Sequence, residues 1–234
     1  MDLQPIEILR EHALFGGLPP GESERLATYC LLRAWGAGQR LMRAGQEPSH
    51  FILIVAGHIE LCETGDFRRD GLLAIVGPGD AVGLEATVQR AAMDAHALPL
   101  DAGKGLFVDA GAFMRHMDDS PALTRAALTG ASRRVSTLLR ENADLRSKRA
   151  IDRLAAFLAA LAGAPEGEAV VKLPYEKRLL AASLGISPES LSRMFNRLRP
   201  LGVETGRTDV VRIGDVALLR RGLPDADGVG ARAT

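Results

Sequence analysis

Gly185 constrains this chain more than any other single residue. Before it, Leu179, Leu180, Ala182 and Leu184 are spaced for a short helix over Tyr175–Leu184. A glycine there stops the helix by entering a left-handed conformation that other residues resist. Ser187 then suits an N-cap, Pro188 the first helical position and Glu189 the positive end of a new helix. Leu191, Met194, Phe195 and Leu198 follow at three-and-four spacing, which predicts a second helix running to about Leu198 with one buried face. Residues Leu173–Glu204 therefore read as two short helices joined by a tight turn.

The other face of the second helix carries Glu189, Ser192, Arg193 and Asn196, with Ser190 beside them. Polar and charged side chains near a helix N-terminus are what reading base edges in a major groove requires. Lys177, Arg178, Arg197 and Arg199 flank this face and suit phosphates. A solvated helical hairpin is the bland alternative; cap, turn and charge placement together argue against it. Gly202–Asp215 reads as a β-hairpin that completes a winged helix. Arg207 stands near its tip, either as a phosphate contact or simply as an exposed side chain.

The run Gly185-Ile186-Ser187-Pro188-Glu189-Ser190-Leu191-Ser192-Arg193 resembles the recognition segment of the Crp–Fnr transcription regulators. The resemblance extends over about residues 10–220. It implies an α+β chain with an N-terminal antiparallel β-roll of the cyclic-nucleotide-binding type, a long dimerisation helix and a C-terminal winged helix-turn-helix. The Glu-x-x-Ser-Arg spacing at Glu189, Ser192 and Arg193 is similar to the anaerobic-regulator branch. Leu173–Ala181 looks most like the nitric-oxide-responsive denitrification regulators. The resemblance also implies a homodimer on double-stranded DNA with inverted TTGA-type half-sites, with RNA polymerase as a further partner.

The rest of the chain fits this frame. Pro5–Leu14 and Gly21–Cys30 read as helices. Short β-prone runs follow at Gln39–Met42, Phe51–Val55, His58–Cys62, Leu72–Val76 and Gly105–Val108, punctuated by glycines. Ser120–Ser147 reads as one long helix. In it Leu128, Val135 and Asn142 fall seven apart, as do Ala131, Leu138 and Leu145, which predicts a seam for parallel dimerisation with Asn142 fixing register. Ala150–Ala162 reads as a helix in the core of the second domain. The expected divisions are a sensor over 1–119, the dimerisation helix over 120–147, the DNA-binding domain over 148–221 and a disordered tail over 222–234. Charge follows the division: residues 1–146 balance at −4 and residues 147–234 at +4.

The effector is less legible. By resemblance, a cyclic-nucleotide site would draw on Gly83, Glu85 and Arg90. Leu84 stands where a glutamate is expected beside Gly83, Glu85 is displaced by one position, and Ala91 replaces a hydroxyl donor. On a strand that displacement would turn Glu85 to the other face. A cAMP-type response is therefore an alternative and not the main expectation. Haem with nitric oxide is a second candidate, with His12 as first choice of axial ligand because the denitrification branch tends to carry an N-terminal histidine there; a different small effector, or none, is the third. An iron–sulfur cluster normally takes four thiolates, and the chain has two cysteines, Cys30 and Cys62. No metal site is assigned.

No nucleophile–base arrangement or dinucleotide fingerprint stands out, so no enzymatic activity is expected. A scaffold module using its winged helix for protein contacts is a further alternative, disfavoured by the exposed Glu189–Ser192–Arg193 face. The first ten residues do not read as a signal peptide and no apolar run approaches the ~20 residues of a membrane span, so a cytoplasmic protein without membrane contact is expected.

Overall fold

A computed structural model describes residues 4–63, 71–147, 149–206 and 208–221. They fall into two units, residues 1–138 and 139–234, whose boundary lies within one long helix.

The first unit opens with helices α1 (Pro5–Glu11) and α2 (Pro20–Ala27), each with proline at its start. Strands β1 (Cys30–Trp35), β2 (His50–Ala56), β3 (Ile59–Cys62), β4 (Leu72–Val76) and β5 (Ala81–Val82) follow. Then come helix α3 (Leu84–Gln89), strands β6 (His96–Pro99) and β7 (Gly103–Asp109), and helices α4 (Ala110–Asp119) and α5 (Pro121–Ser147). The strands form two antiparallel sheets, ordered β1-β7-β2-β5 and β4-β3-β6. Between and beside them lie two apolar clusters. One gathers Phe15, Phe51 and Phe113, with Phe51 and Phe113 edge to face at 4.8 Å. The other gathers Trp35, Met42, Ile52, Ile59 and Met93. Each large side chain fully buried here stabilises the unit by about 1.5–3 kcal/mol.

A buried polar chain ties the helices of this unit together. Tyr29 Oη lies 2.6 Å from His116 Nδ1, and His116 Nε2 lies 2.6 Å from Glu22 Oε2. Hydrogen bonds from Ser120 and His116 hold the Glu22 carboxyl below its ordinary value, and burial pushes the Tyr29 hydroxyl well up. Ser120 also accepts the Leu123 amide, capping α5. His116 is thereby satisfied on both ring nitrogens despite being buried.

Helix α5 presents distinct faces in this unit. Leu123 and Gly130 are buried, with Ala126 packed beside them. Leu128, Val135, Leu138 and Leu139 are 66%, 55%, 47% and 67% exposed. Three of the predicted seam residues, Leu128, Val135 and Leu138, are therefore bare in the single chain. Asn142 and Leu145 lie on the helix, but their side chains fall outside the described residues.

The second unit holds α6 (Ala150–Ala162), β8 (Ala169–Lys172), α7 (Lys177–Ser183), α8 (Pro188–Leu198), a 3-10 turn (Arg199–Leu201), β9 (Val203–Thr205), β10 (Val210–Ile213) and α9 (Val216–Arg221). Its sheet is ordered β8-β10-β9. Leu154, Leu158, Leu180, Leu191, Phe195, Leu198 and Val211 share one core.

Several expectations are corrected. Gln39–Met42 is not a strand: a turn closes at Gly36–Gln39, and only Met42 bridges to Ala97. The second helix stops at Ala27, so Cys30 begins β1. Strands β1, β5, β6 and β8 were not expected. Glu85 lies on helix α3 and not on a strand, because Gly83 enters the left-handed region at φ 83° and opens a helix there. The tail 222–234 and Arg207 lie outside the described residues.

Candidate nucleic-acid interface and sensor site

The turn between α7 and α8 is built as the sequence predicts. Gly185 sits at φ 67°. Its N–H donates to the Ala182 carbonyl at 2.9 Å and the Ile186 N–H to the Ala181 carbonyl at 3.0 Å, the paired bonds of a Schellman cap. Arg153 on α6 donates from Nη2 to the Leu184 carbonyl at 2.7 Å. A guanidinium at the C-terminal end of α7 satisfies an orphan carbonyl and faces the negative end of the helix. Sequence reasoning missed Arg153; only tertiary contact brings it to the turn.

Ser187 caps α8, its Oγ accepting the Ser190 amide at 3.2 Å. Leu191, Phe195 and Leu198 are buried, while Glu189, Ser192, Arg193, Asn196 and Arg197 are exposed along the outer face. Arg193 Nη2 donates to Ser190 Oγ at 2.9 Å, and Ser192 Oγ to the Pro188 carbonyl at 3.1 Å. These bonds restrict both side chains before any partner arrives. The Glu189 carboxyl is held below its ordinary value by its own backbone amide, then by Ser187 and the Arg193 charge. It is therefore an ionised acceptor at neutral pH. One outer face thus presents an acceptor, a hydroxyl, an amide and guanidinium forks, the groups that read base edges.

Lys177 sits differently. Its Nζ donates to the Gly206 carbonyl at 2.5 Å and lies 5.8 Å from the Phe195 ring centroid. It joins the hairpin tip to α8. Arg178 and Arg199 are exposed.

In the first unit the predicted effector residues do not converge on an open nucleotide site. A side chain added at Gly83 would meet Met42 Sδ at 2.9 Å and Met93 Sδ at 3.5 Å, so two buried methionines cover that glycine. Arg90 is exposed, takes the left-handed φ of 50° and approaches Asp118 at 3.9 Å. His12 is buried. Its Nδ1 accepts the Leu14 amide at 3.2 Å, so the neutral ring carries its proton on Nε2. Nε2 is sealed without a hydrogen-bond partner. An axial haem ligand must turn a lone pair toward open space, and His12 as packed offers none; it does not fit that role.

A cavity of about 590 Å³ lies elsewhere in this unit, between residues 13–19 and the first half of α5. Among the described residues no group of three metal-binding side chains converges, and no helix is long and apolar enough to cross a membrane.

Comparison with known proteins agrees with this architecture. Residues 152–221 match the Crp-like helix-turn-helix domain, and residues 32–120 match the cyclic nucleotide-binding domain. No curated protein matches the chain. Among solved structures, a Ruegeria pomeroyi protein named as a candidate cyclic nucleotide binding protein is 24% identical with a TM-score of 0.72, over 93% of this chain and 96% of its own. FixK2 from Bradyrhizobium japonicum is 16% identical with a TM-score of 0.66, over 82% and 96%. DNR from Pseudomonas aeruginosa is 24% identical with a TM-score of 0.53, over 91% and 96%. At these identities the likeness is one of fold.

Proposed function

We propose, on the premise that this chain has the domain make-up of a Crp–Fnr DNA-binding transcription regulator, that it acts as a homodimer gated by an effector at its sensor unit. The observation that carries this reading is the outer face of α8. Glu189, Ser192, Arg193 and Asn196 stand exposed on a helix whose entry is fixed by Gly185, Ser187 and Arg153. A capped helix held rigidly against its own core costs little ordering when it enters a groove.

Dimerisation is supported by the bare row Leu128, Val135, Leu138 and Leu139. Two such rows facing each other bury apolar surface that one chain leaves in water. A two-fold dimer presents two copies of α8, which suits an inverted repeat with centres about 34 Å apart. TTGA-type half-sites fit the side chains: the Arg193 fork suits guanine O6 and N7, and Glu189 accepts from cytosine N4. Engagement of RNA polymerase from the bound dimer completes the role.

The effector reading departs from cAMP. Met42 and Met93 lie over Gly83, and Ala91 offers no hydroxyl to a cyclic phosphate. Haem with nitric oxide remains the effector raised by the denitrification-branch resemblance, with a ligand other than His12. An absorption spectrum with added haem and nitric oxide tests that class.

Gel-shift titration of inverted-repeat DNA at graded salt tests the reading as a whole. The expected result is tight binding that weakens steeply with salt and prefers the two-fold site. Equal, weak binding to any DNA contradicts it.

A further inference from the structure

We infer that the sensor unit binds an amphipathic organic anion, an apolar body carrying a carboxylate, in the cavity between residues 13–19 and α5. The inference rests on the effector-gated reading above and gives that effector a place and a chemical class.

The cavity's volume of about 590 Å³ falls in the range of small-molecule sites, roughly 300–1,000 Å³. Leu14, Pro19, Ala122 and Ala126 supply an apolar wall. Arg125 and Arg133 supply charge from the same helix, eight residues apart and so two turns along one face. Among the described residues neither arginine is paired with a carboxylate. Arg133 Nη1 instead donates to the neutral Ala13 carbonyl at 3.3 Å. Two cations beside an apolar wall, one guanidinium without a bond among the described residues and one held only by a long bond to a carbonyl, are complementary to an acid with a hydrocarbon body.

The cavity lies off the centre of the proposed seam. At 100° per residue, Arg125, Thr129 and Arg133 centre about 130° around α5 from the centre of the Leu128–Val135–Leu138 row, with Arg125 about 60° from Leu128 and Arg133 about 140° from it. A partner helix packed on that row would leave the Arg133 end of the cavity open.

Occupancy bears on the helix. A ligand carboxylate makes a charge-assisted bond stronger than the one Arg133 gives Ala13, and so displaces it. The ligand's apolar body rests on Leu14, whose side chain lies against Gly130. Filling the cavity therefore changes how the 13–19 segment grips α5, the helix that carries the bare apolar row. A ligand that binds the two arrangements unequally shifts their balance.

The test uses the full-length chain, with submicellar dodecanoate and dodecan-1-ol as probes in calorimetry. The acid is expected to bind about tenfold or more tightly than the alcohol. Arg125→Gln with Arg133→Gln should remove that discrimination while leaving residual binding of both probes. Ala122→Trp should obstruct the apolar wall and weaken both. Thermal unfolding and ligand-free operator binding are measured on the same preparations. No binding of the acid, equal binding of acid and alcohol, or acid binding indifferent to both arginine changes would overturn the inference. If operator binding persists in that case, the cavity assignment fails alone; if operator binding is also absent, the regulator reading fails with it.

Discussion

Gly130 of α5 lies directly beneath Leu14, so closely that a methyl group at Gly130 would run into the Leu14 side chain. In an open helix, glycine to alanine stabilises by up to ~1 kcal/mol. Here the sign should reverse. Gly130→Ala is expected to lose about 1–3 kcal/mol, because Leu14 must leave its place against the helix. Urea denaturation measures the difference, and a gain in stability would show that the 13–19 segment does not grip α5 as described.

The bare row on α5 gives a second expectation. Leu138 is 47% exposed in the single chain. Leu138→Glu would place a charge in the proposed interface and should convert dimers to monomers with poor operator binding. Sedimentation equilibrium reads this directly; an unchanged dimer would rule out the seam.

The methionines over Gly83 give a third. Calorimetry with cAMP should show weak binding or none, and no gain in operator affinity. Micromolar affinity with a matching gain in DNA binding would mean that Met42 and Met93 move aside and that Arg90 is recruited.

Burial pushes the His12 imidazole below its ordinary value of 6.5. The unfolded chain therefore takes up a proton at this site at higher pH than the folded chain does. Stability from this site is undiminished above about pH 6.5 and falls as pH drops toward the lowered folded value. His50 is shifted the same way by burial, so the wild-type curve holds both. His12→Gln should fall less steeply below pH 6.5 than wild type in chemical denaturation. Parallel curves for the two proteins would place His12 in water.

Helix α8 was legible because its rules are local. Gly185, Ser187 and Pro188 set its ends, and Leu191, Phe195 and Leu198 set its buried face within eight residues. The long helix and its bare row were legible for the same reason. What stayed hidden depends on residues far apart in sequence. Lys177 reads as a cation suited to phosphate, yet it reaches Gly206, twenty-nine positions on, and braces the hairpin. Arg153 meets Leu184 across thirty-one positions. Strand β8 has four residues and gains its place by pairing with β10 and by burying Val171 in the core. The cavity arises where residues 13–19 meet a helix more than a hundred residues later, a meeting that no periodicity encodes.

Binding-site selection on wild type, Arg193→Ala and Arg197→Ala tests the central claim most directly. Arg193 is exposed on the outer face of α8, one turn beyond Glu189 and steadied by Ser190. Its loss should cost about 1–3 kcal/mol and relax the preference at one guanine of each half-site, while loss of Arg197 should weaken all sequences alike. If Arg193→Ala returns the same motif with the same guanine preference, α8 does not read the DNA.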